Sequence, residues 1–221
     1  YAVAFYNRAN AYYDKADYDK AVADYDQAIK LNPNDASAFH NRGGAYSNKH
    51  DYDRAIADLS QSIKLNANNA LVFNDRGTSY AAKGELDRAI ADLDQAIKLE
   101  PKNAFSYYNR GLAYRNKGET DRAITNYDQA IKLNANYTVA LFARGDAYES
   151  KRDFDKTISD LDQAIKLNPN YTLAYYGRAI AYGSKGNFDR AIADFDQAIK
   201  LDPKDPQAYN NRGFAFRNKG D

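Results

Sequence analysis

Cysteine, methionine and tryptophan are all missing from this chain of 221 residues. Without cysteine there is no disulfide, no thiol nucleophile and no thiolate-bound metal, and the compartment stays open, the cytoplasm being preferred and the periplasm allowed. Histidine occurs only as His40 and His50. They fall on different helices, and a metal site needs several convergent ligands, so none is expected. No apolar run approaches the roughly 20 residues that span a bilayer, and no signal peptide is visible. The chain begins at Tyr1 in mid-pattern, as a piece excised from a longer protein would. Neither sign of charge dominates: 31 Lys and Arg face 30 Asp and Glu. That balance gives no electrostatic reason to expect nucleic acid or an anionic membrane as partner. Gly-rich phosphate loops, nucleophile elbows and triad spacings are absent as well, so neither an enzyme nor a cofactor is expected.

What is present is a period. Arg8, Arg42, Arg76, Arg110, Arg144, Arg178 and Arg212 stand 34 residues apart, each followed four residues later by Tyr12, Tyr46, Tyr80, Tyr114, Tyr148, Tyr182 or Phe216. Six full repeats follow from this, 2–35, 36–69, 70–103, 104–137, 138–171 and 172–205, with half of a seventh at 206–221. Within a repeat, Phe5, Arg8, Ala9 and Tyr12 lie on one face of a helix, and Ala21, Tyr25, Ala28 and Ile29 on one face of a second. Gly84, Gly118, Gly186 and Gly220 suit the left-handed position after a helix end. The acids that follow (Asp17, Asp51, Glu85, Glu119, Asp153) suit the start of the next helix. Pro33, Pro101, Pro169 and Pro203 are expected to stop the second helix, with softer stops where Ala67 and Ala135 replace them.

These landmarks resemble the tetratricopeptide repeat. Phe5, Phe39, Phe73, Tyr107, Leu141, Tyr175 and Tyr209 match its first large slot. Gly43, Gly77, Gly111, Gly145 and Gly213 match its glycine, with Ala9 and Ala179 as small substitutes. Tyr25, Leu59, Leu93, Tyr127, Leu161 and Phe195 match its later large residue. The wording "NRGxAYxxKG" and "DRAIADxDQAIKLNP" is similar to family members common in bacteria, where they organise complexes. The resemblance covers the whole chain. It implies an all-α, right-handed superhelical solenoid of antiparallel helix pairs, a single array with first helices on the concave side.

One slot departs from the family: arginine replaces its leucine in all seven copies. A buried guanidinium needs a partner, and sixteen residues after the arginine stand Asp24, Asp58, Asp92, Asp160 and Asp194, with Asn126 in the fourth repeat. The expectation is a structural ladder of Arg8–Asp24, Arg42–Asp58, Arg76–Asp92, Arg110–Asn126, Arg144–Asp160 and Arg178–Asp194, because arginine's planar fork suits bidentate pairing.

Function is expected on the first helices. In superhelical members of the family, asparagine before the arginine holds a peptide backbone. The resemblance carries that role to Asn7, Asn41, Asn109 and Asn211, while Asp75, Ala143 and Gly177 break the column. Neighbouring columns contribute Tyr6, His40 and Asn74, and a more apolar group of Phe105, Tyr108, Leu112, Phe142, Tyr176 and Ile180. Exposed aromatics grouped on a concave face mark binding surfaces. None of these columns holds lysine or arginine, so the family's carboxylate clamp for chaperone tails is not expected. The expected function is a scaffold for protein–protein interaction that binds an extended peptide or partner protein in the groove. The alternatives are self-assembly through the terminal repeats, the C-terminal helix being one candidate surface, and a regulatory segment of a larger protein.

Overall fold

Apolar residues at helical spacing, punctuated every 34 residues, give a chain made of helix pairs. The computed structural model describes residues 1–220. It places thirteen helices there: α1 (Ala2–Asp14), α2 (Tyr18–Leu31), α3 (Ala36–Asn48), α4 (Tyr52–Leu65), α5 (Ala70–Ala82), α6 (Leu86–Leu99), α7 (Ala104–Asn116), α8 (Thr120–Leu133), α9 (Thr138–Ser150), α10 (Phe154–Leu167), α11 (Thr172–Ser184), α12 (Phe188–Leu201) and α13 (Pro206–Lys219). The chain is all-α. It divides into two compact units, Tyr1–Lys117 with α1 to α7, and a second from Gly118 on with α8 to α13.

Between the helices of a pair the turn needs one left-handed residue. Gly84, Gly118 and Gly186 supply it at φ between 75° and 82°. Ala16, His50 and Arg152 occupy the same place at φ of 57°, 60° and 62°, a conformation that crowds a Cβ against the carbonyl oxygen. Directly after it, the side chains of Asp17, Asp51, Asp153 and Asn187 cap the next helix by accepting from the backbone N–H three residues on.

Proline does not set the end of the second helix. α4 and α8 stop at Leu65 and Leu133, the place equivalent to Leu31, Leu99, Leu167 and Leu201, although Ala67 and Ala135 follow them. The cap residue is already extended, φ −145° at Asn66 and −140° at Asn134. Its side chain accepts from Asn68 N and Asn136 N, closing an Asx turn that replaces the helix. The same bond forms beside proline at Asn168 and Asp202.

Inside each pair, packing couples two slots. A Cβ at Gly43 would lie 2.9 Å from Leu59 Cγ, and one at Gly77 would lie 3.0 Å from Leu93 Cγ. Branched leucine thus forces glycine on the opposing helix. At Tyr25 and Phe195, where the second helix offers a flat ring, the first helix carries the fully buried Ala9 and Ala179, although the fourth repeat has Gly111 with Tyr127.

Charge ties the pairs together. Arg8, Arg42, Arg76, Arg144 and Arg178 each give Nε and Nη2 to the two oxygens of Asp24, Asp58, Asp92, Asp160 and Asp194, at 2.6–2.8 Å. The remaining nitrogen, Nη1, reaches back to the preceding second helix: Arg42 to Asp26 and Arg144 to Asp128 at 2.6 Å, Arg178 to Asp162 at 2.5 Å, Arg76 to Ser60 at 3.0 Å. Arg110 makes the same backward bond to Asp94 at 2.6 Å, while the Asn126 amide donates to Arg122 O within its own helix. Each of these arginines also lies over the aromatic three residues before it, as Arg42 does over Phe39 at 5.5 Å, except Arg144, where Leu141 takes that slot. The Asp160 carboxylate outweighs burial to raise the Arg144 pKa, so the cation is held charged. A second link repeats beside it. Lys83 reaches Asp53 at 2.5 Å and Lys117 reaches Asp87 at 2.7 Å, with Lys49–Asp19, Lys151–Asp121 and Lys185–Asp155 at the same separation in sequence.

Replacing Ala16 by glycine is expected to raise stability by about 0.5–1 kcal/mol, the relief of a left-handed Cβ less the added backbone entropy. Denaturant melts read this directly, and a lowered midpoint, the entropy cost standing unrelieved, would show that the turn carries no strain. Arg76→Leu strands the buried Asp92 carboxylate and is expected to cost about 2–4 kcal/mol. Adding Asp92→Leu should return most of that loss. A double variant as unstable as the single one would mean that the pair contributes more than the desolvation of its charges.

Candidate functional site

Side chains that leave the first helices away from the pair seam form the surface on which a site was expected. In the first unit most of them bond to one another across adjacent first helices. Asn41 Nδ2 donates to Tyr6 OH at 2.9 Å and to Asn10 Oδ1 at 3.0 Å. Tyr25 OH donates to the same Asn10 oxygen at 2.6 Å. Burial pushes the Tyr25 hydroxyl well above the usual phenol range, so it remains a donor. His40 Nε2 meets Asp75 Oδ2 at 2.7 Å, and Asn109 Nδ2 donates to Asn74 Oδ1 at 3.1 Å. Asn74 is 1% exposed and Asn109 7%.

This corrects the expected asparagine grip. The amides of Asn41 and Asn109, like that of Asn211 in the second unit, which donates to Tyr176 OH at 2.6 Å, tie each first helix to the one before it. Asn74 and Asn109 are too deeply buried to meet a ligand. The physical reason is proximity: neighbouring first helices approach closely enough that a side chain in this column falls between them. Asn7 alone of the four is exposed. At the end of this unit Phe105 is exposed, with Tyr108 and Leu112 half-buried, and burial raises the Tyr108 pKa.

The second unit differs. Phe142, Tyr176 and Ile180 are half-buried, and Val139, Leu173 and Phe214 are exposed beside them. Phe142 packs at 5.3 Å on Tyr171, and Tyr176 lies edge-on to Phe195 at 5.7 Å. Two clefts open here. One, of about 330 Å³, lies between α9, α10 and α11 and is lined by Phe142, Asp146, Glu149, Leu161, Leu173, Tyr176, Gly177 and Ile180. The other, of about 250 Å³, lies between α11, α12 and α13, with Ile180, Phe188, Phe195 and Phe214 in its walls. Ile180 belongs to both. The 330 Å³ cleft exists because the asparagine column is broken: Gly177 has no side chain, and a Cβ there would sit 3.2 Å from Leu161 Cδ1, on the cleft floor. Burial, then Asp146, raises the Glu149 carboxyl pKa.

The sequence reading missed Glu149 and Leu161 as site residues, and took Gly177 as a defect. One signal was available for Glu149. Its equivalents in the other repeats are Tyr13, Ser47, Ala81, Arg115, Gly183 and Arg217, so it owes nothing to the period. Among the described residues no helix is long and apolar enough to cross a membrane.

Models of the TPR repeat match residues 77–118, 111–151 and 181–220, and models of the tetratricopeptide repeat match 2–35, 24–57, 139–171 and 161–193. No curated protein matches the chain. Similar solved structures include MamA, 30% identical over 73% of this chain and 95% of its own, with a TM-score of 0.68. YrrB, a TPR protein with an unusual peptide-binding site, is 23% identical over 86% of this chain and 97% of its own, with a TM-score of 0.68. A chain of the APC/C hetero-tetramer Cut9–Hcn1 is 18% identical over 97% of this chain with a TM-score of 0.81, and this chain spans 42% of its length. With the repeat models matching residues 2–57 and 77–220, and with the helix pairs built as described, the chain belongs to the tetratricopeptide repeat family.

Proposed function

We propose that this chain is a protein-interaction scaffold that holds an extended peptide segment of a partner against its first helices, anchored by apolar side chains in the second unit. One observation carries the reading: two adjoining clefts on α9, α11 and α13 share Ile180 and are rimmed by exposed Leu173 and Phe214, 56% and 57% accessible. Concave apolar sites with a few placed polar groups are where small segments bind. The polar columns of the first unit support this by holding the first helices in register, through bonds such as Asn41 to Tyr6 and His40 to Asp75. Their role in the reading is therefore structural, with Asn7 and Phe105 the side chains left outward for a ligand in that unit.

A second reading is association through α13. Tyr209 and Phe216 are exposed there, and a Cβ at Gly213 meets open space. Sedimentation across a concentration series separates the two readings. Concentration-dependent mass that vanishes in Phe216→Ser supports association, and constant mass removes it.

Panning the full chain with random peptides, followed by affinity measurement on the selected sequences, tests the first reading. Phe142→Ala and Tyr176→Ala are each expected to weaken binding by about 1–3 kcal/mol, as aromatic anchors do. Lys30→Ala, on the exposed face of α2, should leave it unchanged. Binding that survives both aromatic variants and is lost with changes on α2 or α4 would sink the reading.

A further inference from the structure

Nearly every acid in this chain sits in a slot that recurs every 34 residues and is used by the scaffold, as a helix cap, an arginine partner or a lysine partner. Asp146 and Glu149 stand in columns where no other repeat carries an acid: Asn10, Gly44, Thr78, Leu112, Ile180, Phe214 and Tyr13, Ser47, Ala81, Arg115, Gly183, Arg217. Both acids line the same 330 Å³ cleft, whose other walls are mostly apolar, the Thr157 hydroxyl there being bonded to Gly145 O and Asp153 O. The cleft is roomy because Gly177 stands where five of the other repeats place asparagine or aspartate and the fifth repeat places Ala143.

We propose that the cleft between α9 and α11 takes a lysine or arginine side chain of the partner peptide, its aliphatic stem lying against Phe142, Leu173 and Ile180 and its cation reaching the Glu149 carboxylate. This rests on the peptide-holding reading above and names the residue that fits it. The occupant follows from complementarity. A long basic side chain is an apolar stem ending in a charge, and such stems bury along apolar walls while the head stays near polar groups. A purely aliphatic side chain would bring an apolar end beside a half-buried carboxylate and leave that carboxylate no better solvated. An acidic one would meet like charge. The raised Glu149 pKa agrees, because an anion crowded by burial and by Asp146 is one that an incoming cation relieves.

The test uses the full chain and oriented pools of nonapeptides, blocked at both ends, with the central residue fixed as lysine, norleucine or glutamate. Norleucine keeps the stem and removes the ammonium. The lysine pool should be retained about tenfold more tightly than norleucine, the scale of one charge-assisted hydrogen bond, and glutamate should be weakest. In Glu149→Gln the lysine and norleucine pools should bind alike. That variant is expected to melt no lower than the parent at pH 7. A carboxyl whose folded pKa lies above its unfolded value opposes folding when ionised, so removing its charge takes no stability away. Gly177→Asn, which restores the column's usual side chain, should weaken the lysine and norleucine pools together, with its fold checked by circular dichroism. Norleucine binding as tightly as lysine on the parent chain, or a lysine preference that persists in Glu149→Gln, overturns the proposal and leaves the peptide-holding reading standing. Failure of every pool to bind, or binding indifferent to Phe142→Ala and Tyr176→Ala, overturns that reading and the proposal with it.

Discussion

Everything in this molecule leans on one arrangement, a guanidinium shared by two second helices. Arg42 gives two nitrogens to Asp58 in its own repeat and the third to Asp26 in the repeat before. A helix pair of this size cannot bury both of its faces, so it is stable only when stacked. The arginine converts that requirement into a fixed geometry. Its fork sets how far one helix of a pair is rotated against the other, and its free nitrogen sets where the next pair begins. Arg42, tied in both directions, keeps a side chain only 18% exposed. The lysine links beside it act further out, at the turns. Between them, these links pair much of the chain's charge internally, which is why a protein rich in both signs comes out near neutral.

Much of this was legible in the sequence because the period is strict. The partner sixteen residues after each arginine stands in plain view, and so do the glycine turns and acidic caps. The partner sixteen residues before each arginine is just as regular, yet Asp26, Asp94, Asp128, Asp162 and Asp196 went unread. They lie in another repeat, and a reading organised by repeats looks inside them. Proline misled for a related reason. It is conspicuous as a breaker, but the helix has already ended at an extended residue held by its own side chain, and Asn66 does this without proline.

The site was harder. Columns of equivalent positions say which way a side chain leaves the helix but not how near the neighbouring helix stands. That distance decides whether Asn109 meets a ligand or Asn74. It also decides whether the loss of a side chain at Gly177 is a gap in a pattern or an opening in a surface. Residues that break the period, Glu149 above all, carried the better signal. The period gives no account of Glu149, so its presence asks for another reason.

The linking bonds recur at constant offsets, sixteen and thirty residues, whichever repeats they join. A gene that loses or duplicates one 34-residue block therefore produces a chain whose junctions still match, with no compensating change elsewhere. Several bonds between first helices also share an offset, thirty-five residues, but the residue types that make them change along the array. His40 needs Asp75, and the cleft needs Gly177 beside Leu161, so these two features belong to particular pairs of neighbours. Recombination among repeats can thus lengthen or shorten the array while reshuffling what its surface recognises, and scaffold and specificity can change on separate clocks.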